Sequence, residues 1–321
     1  MAGYLALRRG LGFTLRNAGI GLGDFVSFLE QQGAAFITTA LAVAWAQPPV
    51  SARPAEWARR LSYVRGFARY RSATDARTEI PPWGLLPHRP ERARPSLSTD
   101  TEIQQLLEAA LRLAPAGGLR PWTYHALLGL LAVTGLRISE ALGLTLEDVA
   151  LRTGVLTVRG TTFGKSRLVP LHASTQQVLT AYTVRRGAVP AGRHASAFFV
   201  SRRGTRLDGA TVRRTLYTLS RQIGWRGPSA SHGPRLHDFR HRFAVQTLVQ
   251  WYRAGAEVGP RLPILSTSLG HVQVRDTSWY LTACPELMGC AVQRLAQRWE
   301  GRAGHRRPVS LLCWNASSPS A

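Results

Sequence analysis

Lysine is nearly missing from this chain: of 41 basic side chains only Lys165 is lysine, and the other 40 are arginine. Acidic residues are few as well, 18 in all, which leaves a formal net charge of +23 over 321 residues. So lopsided a balance points to a polyanionic partner, either nucleic acid or an anionic membrane surface. A GC-rich genome that trades lysine codons for arginine accounts for the ratio, but not for the net charge or the surviving lysine. Cysteine is scarce: Cys284, Cys290 and Cys313 form no C-x-x-C pair. Three thiols make neither a disulfide framework nor a zinc ribbon, and they suit a reducing cytosol. Long apolar runs are also absent. The most apolar stretch, residues 34–46, contains Thr38 and Thr39 and falls well short of the ~20 residues of a membrane span. At the start, Arg8 and Arg9 interrupt MAGYLALRRGLGFTL, unlike a secretory signal. The expectation is a cytoplasmic polyanion binder.

Apolar residues make up 45% of the chain, enough for real cores. At roughly 100–200 residues per domain, the length suggests two domains. Residues 1–90 carry eleven basic and five acidic side chains, the remainder thirty and thirteen, so both halves are basic. Three helices are predicted early on, at residues 24–32, at 39–47 behind a threonine cap, and at 54–71 with Pro54 in the first turn. On the third, Trp57, Leu61, Val64 and Phe67 form one stripe, while Arg60, Arg65, Arg69 and Arg71 mostly fall elsewhere. Residues 79–98, EIPPWGLLPHRPERARPSLS, have no periodicity and read as a linker. Thr99 and Glu102 then give a T-x-x-E capping box, and the pattern stays mainly helical to about residue 300. One hairpin interrupts it, with strands at 154–160 and 166–171 joined by a turn at 161–165, and residues 197–201 read as another short strand. The fold class is therefore mainly α with a small β-sheet. Its expected parts are a helical domain at 1–80, a Pro/Arg-rich linker at 81–97, a second domain at 98–300 and a frayed tail at 301–321.

Four places in the second domain can carry chemistry. In TGLRISE, Arg137 follows a Gly135 turn and Glu140 stands one helical turn further on. In FGKSR, Lys165 sits at the hairpin tip. In LHDFRHRFAV, His237 and Arg240 share a helical face at i, i+3. LGH followed by WY supplies His271 and Tyr280. His237 and His241 also have a spacing that zinc sites use, but Asp238 occupies the glutamate place of H-E-x-x-H and no third ligand is evident, so no metal site is expected.

Taken in order, these boxes resemble the tyrosine recombinases, the phage integrase family of lambda-integrase-type site-specific DNA recombinases. The nine-residue step from His271 to Tyr280 fits that family, and the Pro/Arg linker and the PELM stretch after Tyr280 look like transposon-encoded members. The resemblance implies an N-terminal helical, SAM-like core-binding domain and a C-terminal mixed α/β catalytic domain. It implies double-stranded DNA as partner, no cofactor, a homotetramer on DNA (with other recombinases in some cases), and service to a mobile genetic element by integration or excision. It also implies roles: Tyr280 as nucleophile, Arg137 and Arg240 as a phosphate clamp, His271 as a further donor, Lys165 as general acid and His237 as proton-transfer assistant. Glu140 either orients Arg137 or His237 or is a plain surface glutamate. DNA contacts are expected from Arg60, Arg65, Arg69, Arg213, Arg214 and Arg242, with Arg242 standing where the family commonly has a small polar residue. Residues 285–300 are amphipathic, with Leu287, Ala291, Leu295 and Trp299 on one stripe that packs either in cis or on a neighbouring protomer. A catalytically silent accessory subunit and a type IB topoisomerase are the alternatives.

Overall fold

The computed structural model describes residues 1–47, 54–86, 96–160, 166–188, 196–227, 233–271, 273–282 and 285–303. The chain forms two compact units, Met1–Ala93 and Arg94–Ala321.

The first unit holds four helices: α1 (Ala2–Gly10), α2 (Arg16–Gln31), α3 (Thr39–Ala46) and α4 (Pro54–Arg71). Helix α3 starts where Thr38 caps it, its Oγ1 accepting the Leu41 backbone N–H at 3.2 Å. Helix α2 begins eight residues before its predicted start, because Arg16–Gly23 continue the helix despite their glycines, and α1 escaped the sequence reading altogether. Leu22 and Phe25 of α2 meet Ala42 and Trp45 of α3 and Leu61, Val64 and Phe67 of α4 in one core. Leu86 buries in the same core, and Arg65 donates to the carbonyls of Pro81 and Pro82 at 2.7 and 2.9 Å. The start of the expected linker is thus folded onto this unit, while residues 87–95 lie outside the described part.

The second unit opens with α5 (Asp100–Leu111), capped as predicted: Thr99 Oγ1 accepts from the Glu102 N–H, and Glu102 accepts the Thr99 N–H at 2.7 Å. Next come α6 (Leu119–Thr134) and the short α7 (Ile138–Gly143). Helix α6 is apolar on nearly every side and is buried on nearly every side, which makes it the axis of the unit. Strands β1 (Val149–Ala150), β2 (Val155–Val158) and β3 (Arg167–Pro170) form an antiparallel sheet in that order, with Leu156 opposite Val169. The short β1 is a strand the sequence did not announce. Conversely, residues 197–201 make only isolated bridges, Ala197 to Thr145 and Val200 to Arg206. Helices α8 (Ala173–Gly187), α9 (Gly209–Gln222), α10 (Leu236–Arg253), α11 (Val258–Leu269), α12 (Arg275–Thr282) and α13 (Pro285–Ala303) complete the unit. Around α10 to α13 lies a separate apolar cluster that includes Val245, Leu248, Leu265, Leu269, Leu287 and Tyr280. Among the described residues, no helix is long and apolar enough to cross a membrane.

Candidate active site

The site grows out of one glycine turn. Gly135 ends α6 in the left-handed conformation, φ +63°, and a Cβ there would meet Phe243 of α10 at 2.6 Å. Only glycine satisfies both constraints. The turn delivers Arg137 to the N-terminus of α7 and exposes the Gly135 carbonyl, to which Arg240 of α10 donates through Nη1 at 3.0 Å. Arg240 is 1% exposed, and its Nη2 is buried beside Tyr280 with no hydrogen bond of good geometry among the described residues. Burial and the neighbouring Arg137 push its guanidinium down to about 10, against the opposing pull of Tyr280 and Glu140. It remains a cation at neutral pH.

Glu140 is no surface glutamate. Its side chain is 7% exposed, accepting from Arg137 Nη1 at 2.9 Å and from the Arg137 backbone N–H at 3.0 Å. Arg167 of β3, equally buried, grips the same carboxylate with Nη1 at 3.1 Å and Nη2 at 2.7 Å. Burial alone would raise the carboxyl, but the bonds from Arg167 and Arg137 outweigh it and hold Glu140 below the usual range. Arg167 also donates from Nε to Ser268 at 2.8 Å and lies against Gly270, where a Cβ would meet its Nη1 at 2.6 Å. Arg137 donates to the Gly270 carbonyl at 3.3 Å. An Arg–Glu–Arg set, buried at Glu140 and Arg167 and half-buried at Arg137, therefore joins α7, β3 and the turn that carries His271.

His271 follows the left-handed Gly270 that caps α11, its backbone N–H bonded to Ser266 at 2.9 Å. Its ring stacks on Tyr280 of α12 with centroids 6.0 Å apart and planes 18° from parallel. Tyr280, 2% exposed, meets the edge of His241 at 5.3 Å, and His241 meets His237 at 4.6 Å. His237 stands at the exposed rim. All three imidazoles are held low, each chiefly by burial: His271 at about 4 with Arg240 adding, His241 at about 4 with His237 adding, and His237 below its ordinary value with Arg240 adding.

Five of the predicted residues, Arg137, His237, Arg240, His271 and Tyr280, thus converge from α7, α10, the α11–α12 turn and α12. Lys165 and the hairpin turn lie outside the described residues. The predicted DNA contacts divide. Arg69, Arg213 and Arg214 are exposed. Arg65, by contrast, is buried, spending its donors on Pro81 and Pro82 and stacking 4.2 Å above Trp83. Arg60 donates to the Trp45 carbonyl at 2.8 Å and stacks 3.9 Å from that ring. Arg242 donates to the Ser98 carbonyl at 2.9 Å and pairs with Asp100, fastening α10 to the start of α5. All three spend donors inside the fold. Sequence reasoning missed Arg167 and Thr277, whose Oγ1 lies 2.7 Å from His271 Nδ1. Thr277 stands on the Tyr280 face of α12, three residues ahead, but Arg167 gave no signal in an ordinary strand pattern.

The C-terminal stripe also splits. Leu287 is buried against α10, where Arg253 bonds Glu286 at 2.7 Å and Arg294 reaches the Ala256 carbonyl, so the helix packs in cis through this edge. Met288, Val292, Leu295 and Trp299 remain exposed, Trp299 at 70%.

Residues 98–286 match the phage integrase family. The chain is 57% identical over 303 residues to "Putative integrase/recombinase y4rB" of Sinorhizobium fredii (strain NBRC 101917 / NGR234), covering 93% of this chain and 96% of that protein. It is 32% identical over 246 residues to tyrosine recombinase XerD of Mycobacterium tuberculosis, covering 76% and 72%. Among solved structures, the Tn1549 transposon integrase in complex with circular intermediate DNA shares the fold at TM-score 0.64 and 18% identity, over 91% of this chain and 98% of that one. The XerH recombinase bound to palindromic difH substrate does so at TM-score 0.60 and 18% identity, over 82% and 73%.

Proposed function

The chain belongs to the phage integrase family and is a tyrosine site-specific recombinase acting on DNA, and from that premise we propose that Tyr280 forms a covalent 3′-phosphotyrosyl intermediate. Recombination must break a phosphodiester without losing its energy, because the same bond type is remade to a new partner. The Tyr280 Oη attacks phosphorus, the P–O5′ bond breaks, and one phosphodiester is exchanged for another without ATP. A free phenol, with a pKa near ~10, is a weak nucleophile at neutral pH, so the Tyr280 proton passes to a nearby base, with His237 and the cationic surroundings assisting. The departing 5′-oxygen takes a proton from Lys165, since an amine titrates where a guanidinium does not.

The observation that carries this reading is the set of donors beside Tyr280. Arg137 and Arg240 are planar forks suited to the non-bridging oxygens of a pentavalent phosphorus, and the buried Arg240 guanidinium lies directly beside Tyr280. Losing one such preorganised donor typically costs ~3–4 kcal/mol. Glu140, Arg167 and the Gly135 carbonyl hold the two forks before any substrate arrives. The DNA grip is assigned to exposed basic surface, including Arg69 and the Arg213 and Arg214 face of α9, where Tyr217 stands between them and Arg221. Assembly into a tetramer is supported by the exposed Met288, Val292, Leu295 and Trp299 stripe of α13. Movement of a mobile element is supported by the named relative and by the transposon-integrase fold.

The test is a duplex nicked next to the scissile phosphate, so that the cleaved end diffuses away and traps the intermediate. Wild type accumulates a protein–DNA adduct that survives denaturation. An equal yield from Tyr280→Phe, or no adduct from wild type on DNA it binds specifically, defeats the proposal.

A further inference from the structure

Thr277 belongs to none of the roles above, yet it is fully buried three residues before Tyr280 on the same helical face of α12. Its Oγ1 lies 2.7 Å from Nδ1 of His271. A buried hydroxyl proton needs an acceptor, and among the described residues that nitrogen is the one hydrogen-bond partner of this oxygen. A neutral imidazole has one N–H and one acceptor nitrogen. Burial and the Arg240 and Arg137 cations keep His271 in that neutral form. A hydroxyl that donates into Nδ1 leaves the single ring proton on Nε2. The opposite tautomer would make the hydroxyl an acceptor and leave its own proton without an acceptor among the described residues.

We propose that Thr277 is a positioning residue that fixes His271 in the Nε2–H tautomer and aims that N–H at a non-bridging oxygen of the scissile phosphate. This rests on the recombinase chemistry proposed above. The His271 backbone is anchored to α11 through Ser266, while its ring is anchored to α12 through Thr277. The helix that carries the nucleophile therefore also sets the donor. Any displacement of α12 that moves Tyr280 away from the phosphate withdraws the His271 proton with it, so nucleophile and donor are presented together or not at all.

The experiment combines nitrogen-15 histidine NMR on the full chain with cleavage of the nicked duplex. The His271 signals are identified by their loss in His271→Ala. In wild type and in Thr277→Ser, the shifts place the proton on Nε2. Thr277→Val keeps the shape, removes the hydroxyl and gives a mixture of tautomers. Thr277→Val then cleaves about tenfold more slowly, the size of one lost hydrogen bond, with DNA binding unchanged. Thr277→Ser stays within about twofold of wild type, because the donor survives. In a His271→Ala background, Thr277→Val adds no further loss, since Thr277 acts only through that ring. Should the valine variant fail to fold, Thr277→Ala against Thr277→Ser makes the same comparison. A wild-type proton on Nδ1, full-speed cleavage by the valine variant, or an undiminished extra loss in the His271→Ala background each overturns the proposal. Absence of cleavage by wild type defeats the proposed chemistry instead, and the tautomer shifts then judge Thr277 alone.

Discussion

Replacing Arg167 by leucine removes two charge-assisted hydrogen bonds to Glu140 and one to the Ser268 carbonyl. Both members of the Arg167–Glu140 pair are 7% exposed, so the carboxylate left behind cannot turn to bulk water. Stripping one partner from a buried ion pair costs about 3–5 kcal/mol. Glu140 still keeps the Arg137 side chain and backbone N–H, which argues for the lower end, about 3 kcal/mol. In a unit the size of Arg94–Ala321, each kcal/mol moves Tm by about 2–4 °C, so the expected drop is about 6–12 °C. Function should fall further than stability. Glu140, freed on one side, no longer fixes Arg137, and a misplaced clamp costs about 10²-fold in cleavage. Scanning calorimetry and nicked-duplex cleavage measure the two effects at a temperature where the variant is folded. The double variant Arg167→Leu, Glu140→Leu removes both buried charges and recovers much of the stability, but not the cleavage, because Arg137 then keeps only long bonds, such as those of 3.3 Å to the Gly270 carbonyl. A single variant with Tm unchanged, or a double variant that cleaves like wild type, refutes the reasoning.

Stability should fall in mild acid. His241 and His271 are held near 4 in the fold, against 6.5 when unfolded, so the unfolded chain takes up protons first. Their contribution is complete above about pH 6.5 and drains as pH falls toward 4, losing roughly 2–3 kcal/mol between pH 7 and 5 after allowance for solvent screening. Urea unfolding across that range checks it, and a flat profile contradicts it. Lys165→Arg should keep DNA binding and cut cleavage about 10²-fold, because arginine cannot supply the leaving-group proton. Unimpaired cleavage by that variant removes Lys165 from the mechanism. Arg213→Ala with Arg214→Ala should weaken DNA binding and reduce the log–log salt slope by roughly 2. An unchanged slope takes that face of α9 off the phosphates.

What the sequence disclosed followed from local chemistry. The helix at 54–71 and the Thr99 cap were legible because periodicity and capping act within a few residues. Tyr280 and the basic and imidazole residues around it were legible as ordered motifs. Two kinds of feature stayed hidden. Arg65 looked like part of a solvated basic face, but the Pro81 and Pro82 carbonyls fold back over it, a contact across 16 and 17 residues that no periodicity announces. Arg167 looked like an alternating strand residue, yet its partner Glu140 lies 27 residues earlier and its Ser268 acceptor 101 later. In an arginine-rich chain, composition cannot separate a guanidinium kept for DNA from one spent on the fold. Only the location of its acceptors does that.

Central to the chemistry is which atom of the protein becomes bonded to DNA. Wild type trapped on the nicked duplex, digested with nuclease and trypsin, can be sequenced by mass spectrometry. The tryptic peptide of residues 276–294 contains a single tyrosine among the eight of the chain. A nucleotide 3′-phosphate is expected on that residue, Tyr280. Attachment to another tyrosine, or linkage through a 5′-phosphate, contradicts it.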